Sequence, residues 1–410
     1  MVEELIRRRV VINVGGFDGE GPTGVHRRFK RDMLRFGRVW NFQTVAADPT
    51  ITPDAVRWDV FVSSADFSVV TEFHHFRWDD VIERYALASP WRRIPLGLVA
   101  FCDFLFSGTA LRYLRHSWRY ALFFGYPIVV LFIILMASTT IGVYLSRSLT
   151  LPSAVLPLCF LAFITLIAFA DRWLYLSLLF DDWIFARRYI LSGPIELQAR
   201  LHRLSVDLER LLLRDDLDEV VIVGHSLGAA IAIDLVDRWL RARSARSCEL
   251  APVTLITLGA SILKIGLHPA AQRFRASVAN IATAGGTVTW TDFQARSDFM
   301  NFHFCNPVTS LGFSATGSPV MRSVSIRNMI APARYKRVWR NLYIIHCQFV
   351  RANDRRAPFD YFMLTCGPLK SAMLSQRREG AMSIFDAEGR LIPPGSIADP
   401  DCASLGGTTS

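Results

Sequence analysis

The run VVIVGHSLGAAIAIDLV, residues 220–236, puts a serine where a serine can act as a nucleophile. A four-residue apolar stretch meets Gly224-His225-Ser226-Leu227-Gly228, and small residues then follow in a helical pattern. A strand, a very tight turn and a helix hold such a serine at the apex in a strained backbone conformation, which requires flanking positions nearly devoid of side chain. Gly224 and Gly228 meet that requirement, while Ala229 and Ala230 let the helix approach the sheet closely. The helix N-terminus adds to the chemistry, because the Leu227 N–H would point at an oxyanion and the macrodipole favours negative charge there. The reaction implied is attack of Ser226 on a carbonyl carbon. His225 belongs to the same run, but its ring is expected to point away from the reaction.

The elements that must position this serine read as alternating strands and helices, which predicts a mostly parallel sheet covered on both faces. RRVVINVG (8–15) is a first buried strand, and the Gly-rich turn GGFDGEGPTG leads to an amphipathic helix from about Val25 to Phe36. VWNFQTVAA and DVFVSSADFSVVTEF read as further strands. Leu197, Leu201, Leu204, Leu208 and Leu211 recur every three or four residues, so PIELQARLHRLSVDLERLLL is a helix with one apolar stripe. The strand EVVIVG, a helix from Ser226 to about Arg241, the strands PVTLITLG and GTVTWTDF, and a later apolar segment at 341–349 follow. The turn also contains GEGPTG (19–24), which satisfies a phosphate-cradle pattern. Its first glycine comes several residues after the strand, Pro22 removes one N–H donor and no Walker lysine is present, so the pattern is set aside.

Two segments are too apolar for this scheme. Between Arg119 and Arg147 no charged residue occurs, and a second uncharged run extends from Ser148 to Ala170. Each is long enough to span a hydrocarbon core, with spans at about 120–145 and 151–170; Pro152 and Pro157 delay or kink the second helix. Arg112, Arg115 and Arg119 precede the first span, Arg172, Arg187 and Arg188 follow the second, and only Arg147 lies between. The positive-inside rule then predicts an integral membrane protein with two spans and its catalytic part on the cytoplasmic side. The domain reading is an N-terminal half at 1–111, a membrane hairpin insertion at 112–190, a C-terminal half at 191–384 and a disordered Pro/Gly/Ser-rich tail at 385–410.

Composition narrows the partners. The 410 residues are 51% hydrophobic and carry a formal charge of +10, almost wholly from arginine. These arginines are dispersed or juxtamembrane rather than gathered with aromatics on one element, which excludes nucleic-acid binding, and two spans are too few for a transporter. The basic stretch Arg322, Arg327, Arg334, Lys336, Arg337 and Arg340 admits contact with anionic headgroups, but a solvated surface is the preferred reading. Seven scattered cysteines without a C-x-x-C pair suggest neither a disulfide framework nor a zinc site.

GHSLG after a hydrophobic strand, with TLGAS on the next strand, resembles the α/β-hydrolase superfamily, nearest its lipase and esterase branch. The resemblance implies an α/β fold of α/β-hydrolase type, here interrupted by the two-helix transmembrane hairpin, and a triad in the order Ser, acid, His. For the acid it offers Asp292 and Asp298; Asp298 is preferred because it lies past the strand end, in a loop from which it can reach a histidine. For the base it offers His346, late in the chain, ahead of His303, which lies only five residues beyond Asp298. A second oxyanion donor belongs in the loop after the first strand, where Gly15 and Gly16 allow close approach and the Phe17 N–H is the candidate. Many lipases carry His-Gly at this place; here it is Gly-Gly. The function so implied is a membrane-anchored serine hydrolase that cleaves a carboxylic ester or thioester, acting on an acyl ester or lipid-like substrate and contacting membrane lipids, with no cofactor and no metal. Acyl transfer by the same residues and a non-catalytic membrane adaptor are the alternatives.

Overall fold

A computed structural model of the chain describes residues 5–86, 90–243 and 252–393. Its centre is a nine-stranded sheet in the order β2-β4-β5-β1-β6-β7-β8-β9, with β3 paired to β4. In chain order the elements are β1 (Arg8–Val14), α1 (Pro22–Trp40), β2 (Gln43–Ala46), β3 (Thr50–Ile51), β4 (Ala55–Ser63) and β5 (Ser68–Phe76). Five helices follow: α2 (Asp79–Ala86), α3 (Pro90–Phe106), α4 (Thr109–His116), α5 (Trp118–Ser148) and α6 (Val155–Leu174). Next come α7 (Leu176–Leu191), α8 (Ile195–Leu212), β6 (Glu219–His225), α9 (Gly228–Ala242) and β7 (Val253–Leu258). The chain then adds α10 (Ile262–Gly266), α11 (Gln272–Thr283), β8 (Val288–Ala295), β9 (Val320–Val324) and short C-terminal helices.

Strands β5, β1, β6, β7, β8 and β9 form a parallel run, and β2, β3 and β4 add an antiparallel edge that joins it at β5. The sequence pattern follows this division. β6 and β7 are buried throughout, as strands covered on both faces must be, whereas β4 alternates buried and exposed residues because one of its faces meets solvent. Val10, Ile12, Val220 and Ile222 point into the core that carries α7, α8, α9 and α11. Val11, Val221 and Val223 point into the opposite core, filled by α1 and the helix Tyr361–Cys366. The α8 stripe of Leu197, Leu201, Leu204 and Leu208 is buried as its spacing predicts.

Helix α1 is longer than expected at both ends. Pro22 occupies its first turn, where a missing N–H costs nothing, and Trp40 closes it, buried with its indole N–H donating to Asp360 at 3.0 Å. Val39 and Trp40 are therefore helical, and only Gln43–Ala46 of the expected strand is extended. The predicted disordered tail at 385–410 is also corrected over its first residues. Phe385 is buried against Trp40, Phe42 and Phe67, it bridges to Leu391, and the Gly389 carbonyl accepts from Ser64. Apolar contact with the N-terminal half holds this stretch despite its loop-like composition; residues 394–410 lie outside the described residues.

The two uncharged segments form adjacent antiparallel helices, α5 and α6, long and apolar enough to cross a membrane. Pro152 opens a 3₁₀ turn, Pro152–Ala154, and α6 proper begins only at Val155. No residue of α6 is buried, although Leu156, Phe160, Leu161 and Phe169 are large and apolar. Such a surface is costly in water and natural in hydrocarbon. The buried face of α5 carries Ser138, Gly142 and Ser146, and a Cβ at Gly142 would stand 2.5 Å from the Cys159 backbone nitrogen. Small residues thus set how closely the two helices pack. Helices α3 and α4, bent by 69° at their break, meet the same test only as a pair.

Candidate active site

Ser226 sits between the end of β6 and the start of α9 with φ 54°, in the left-handed region. Its amide donates to the Leu258 carbonyl at 3.0 Å, and its own carbonyl accepts from the Ser261 amide at 3.0 Å, so the end of β7 braces the turn. The glycines around it are required by close backbone approach. A Cβ at Gly224 would lie 2.5 Å from Ala229 Cα, and one at Gly228 would lie 2.2 Å from the Gly15 carbonyl oxygen. Gly16 is confined in the same way, since its Cβ would stand 3.1 Å from Ser226 Cβ.

The structure brings Asp298 and His346 together across 48 residues of chain: His346 Nδ1 donates to Asp298 Oδ2 at 2.8 Å. Asp298 lies beyond β8, and its Oδ1 accepts from the Met300 amide at 2.8 Å, which fixes the carboxylate plane. His346 belongs to the short helix Leu342–Cys347, capped by the Asn341 side chain, so the apolar run 341–349 is helical. Among the described residues the buried His346 Nε2 has no hydrogen-bond partner, and His346 and Ser226 line one pocket. A neutral imidazole with its proton on Nδ1 can accept a hydrogen bond at Nε2.

Asp292 and His303 stand elsewhere. Asp292 is within β8, fully buried, and accepts from Thr257 Oγ1 at 2.5 Å and Gln294 Nε2 at 2.8 Å. Burial pushes its pKa up to about 6, and no histidine touches it. His303 Nε2 lies 3.2 Å from Ser323 Oγ and its ring packs on Phe304. His225 turns its ring beneath the site, where Nε2 donates to the His346 carbonyl at 3.2 Å. Burial, reinforced by the neighbouring His346, drives its pKa well below the ordinary histidine value, so His225 braces the His346 backbone as a neutral ring.

Phe17 lines the pocket and Leu227 follows Ser226 in the chain, and among the described residues neither backbone amide has an acceptor. The Phe17 ring is wedged among Trp78, Tyr85 and Phe185, and the Trp78 indole donates to the Gly15 carbonyl at 3.2 Å. The loop that carries Phe17 is thus packed against α2 and α7. Among the described residues no group of three or more histidines, cysteines or acids could hold a metal ion.

Residues 188–280 match the class 3 lipase family, described as Lipase (class 3). The matched stretch is lipase-like. It runs from the end of α7 to α11 and contains β6, Ser226, α9 and β7, while Asp298 and His346 lie beyond it. Around it the chain has an α/β-hydrolase-like, mostly parallel sheet with helices on both faces. No curated protein and no solved structure matches the chain.

One pair in the pocket was not foreseen. Lys264 of α10 is buried and ion-paired with Asp182 of α7, and both line the cavity. The available signal was physical: a lone lysine in the apolar run TLGASILKIG and an acid in SLLFDDWIF must each find a partner if buried. Tyr343 and Cys347, one helical turn apart, also line the pocket; burial pushes the Cys347 thiol up to about 11, so it stays protonated and is no competing nucleophile near neutral pH.

Proposed function

We propose that this chain is a membrane-anchored serine hydrolase that cleaves a carboxylic ester or thioester through an acyl-enzyme. The observation that carries the reading is the His346–Asp298 pair in the pocket of Ser226. In this reading Ser226 Oγ attacks the acyl carbonyl as His346 Nε2 takes its proton, and Asp298 holds the Nδ1–H and stabilises the imidazolium. The Leu227 and Phe17 amides receive the oxyanion, a contribution on the order of 10²-fold or more per donor. The ester C–O bond then breaks, His346 returns the proton to the leaving oxygen, and water repeats the sequence to release the acid. Family likeness supports ester hydrolysis at the level of class; the membrane anchor is supported by the unburied apolar surface of α5 and α6.

The same reading gives 112–190 as a hairpin insertion between the halves 1–111 and 191–384, with the hydrolase part on the cytoplasmic side, on the strength of the arginine-rich flanks. Covalent labelling with a fluorophosphonate, followed by intact mass in detergent, tests the chemistry. Wild type takes one label, while Ser226→Ala and His346→Ala take none. A folded wild-type protein that stays unlabelled would leave the non-catalytic adaptor as the better account.

A further inference from the structure

The pocket around Ser226 does not end there. A second, open groove shares Phe123, Leu178, Leu179, Met300 and Tyr343 with it. From that shared apolar floor it extends to Tyr126 of α5 and to Trp173, Leu174 and Tyr175 at the junction of α6 and α7. It therefore opens at the arginine-flanked end of the two apolar helices, where a bilayer would place its headgroups. Its remaining wall holds Arg337 and Arg340.

These two arginines differ from their neighbours. Arg334 is committed to Asp354 at 3.0 Å, and Arg322 donates to the Ser375 carbonyl at 3.1 Å. Among the described residues neither Arg337 nor Arg340 meets a carboxylate; Arg337 Nε reaches only the Ala333 carbonyl at 3.4 Å, and the Arg340 guanidinium lies 4.7 Å from the centroid of the Trp339 ring. Trp339 and Trp173 are exposed beside them, as side chains that favour the membrane interface. Two guanidinium groups that line this groove and meet no carboxylate among the described residues suit the oxygens of a phosphate.

We propose that the substrate is a membrane lipid ester with an anionic phosphate headgroup: the groove carries its chain from the bilayer to the pocket, and Arg337 and Arg340 hold the phosphate. The proposal rests on Ser226 as nucleophile. The ester C–O bond breaks, the acyl group passes to Ser226 Oγ, the proton returns through His346 to the leaving lysolipid, and water releases the fatty acid.

The test uses the full chain in vesicles of ether-linked phosphatidylcholine, which offers no ester, with either phosphatidic acid or diacylglycerol of the same chains as guest. Mass spectrometry reads the released fatty acid. Phosphatidic acid is turned over faster, and the double variant Arg337→Gln/Arg340→Gln lowers the ratio of the two rates about tenfold or more. Arg327→Gln, in the same basic stretch outside the groove, leaves the ratio unchanged. Equal rates, or an equal loss on both guests in the double variant, would overturn the proposal. Fluorophosphonate labelling without hydrolysis of either guest refutes the lipid substrate but spares the nucleophile, whereas no labelling refutes the nucleophile. A diazirine-bearing phosphatidic acid cross-linked to the Ser226→Ala protein reads the groove without catalysis: label is expected on the Leu178 or Tyr343 peptide, reduced by the double variant, and its absence there counts against the groove.

Discussion

Replacing Asp298 by asparagine separates the two candidate acids. Asp298 accepts twice, from His346 Nδ1 and from the Met300 amide, both at 2.8 Å, and it is 1% exposed. An asparagine can satisfy only one of these donors with its oxygen. If its oxygen faces Met300, its NH₂ meets Nδ1, and His346 must carry its proton on Nε2, where it can no longer accept from Ser226. If its oxygen faces His346, the NH₂ opposes the Met300 N–H inside the fold. Loss of the correct tautomer and of imidazolium stabilisation predicts a fall in kcat/KM on the order of 10³ to 10⁴-fold. That is about 4 to 5.5 kcal/mol of transition-state stabilisation. Asp292→Asn changes a carboxylate bonded only to Thr257 and Gln294 and is expected to leave kcat/KM within about threefold. The assay is turnover of a soluble short-chain ester, with the rate of fluorophosphonate labelling and a melting curve for each variant. A well-folded Asp298→Asn protein that keeps more than about a tenth of the activity, or an Asp292→Asn protein that loses as much, would refute the assignment.

Asp292 also makes stability depend on pH with an unusual sign. Its pKa of about 6 lies above the ordinary carboxylate value, so the native state holds the proton longer than the unfolded chain. Its contribution favours the fold at low pH and is lost as pH rises from about 4 through 6, on the order of 3 kcal/mol in all. Asp292→Asn should therefore raise Tm relative to wild type more at pH 7.5 than at pH 4.5; an equal difference at both would contradict this. Gly228→Ala places a methyl 2.2 Å from the Gly15 carbonyl oxygen, displaces the loop that carries Phe17 and is expected to cost about 1 to 3 kcal/mol together with most of the labelling rate. A labelling rate near wild type would show that this contact is not tight. In the hairpin, Gly142→Leu should lower Tm in detergent while Gly125→Leu does not, because a Cβ at Gly142 meets Cys159 and one at Gly125 meets nothing within 4 Å; equal Tm values would count against the packing of α5 on α6.

Local physics made much of this protein legible. The strand, tight turn and helix around Ser226 were readable because their requirements fall within a few residues: an apolar run, two glycines and small residues behind them. The two apolar helices were readable because a hydrocarbon core demands some twenty consecutive residues without charge, which is a property of the chain alone. The α8 stripe was readable because helical periodicity is written every three or four residues.

What is contributed by distant segments had no such signature. Strand length separated Asp292 from Asp298 in the sequence, but the contact of Asp298 with His346, 48 residues on, had no local signature. The region 385–393 looks like a loop by composition and is held by aromatic contacts with residues more than 300 positions away. The Asp182–Lys264 pair and the groove that joins the Ser226 pocket to the foot of α5 and α6 depend on where α7, α10 and the short helix Leu342–Cys347 come to lie. Sequence by itself determined the strand, tight turn and helix around Ser226, the strand and helix alternation and the two long apolar helices, because each obeys short-range rules of backbone, periodicity and solvent. Tertiary structure alone brought the preferred Asp298 within hydrogen-bond distance of His346 and decided where the pocket leads, because those contacts depend on how the loop after β8 and the helix Leu342–Cys347 pack together.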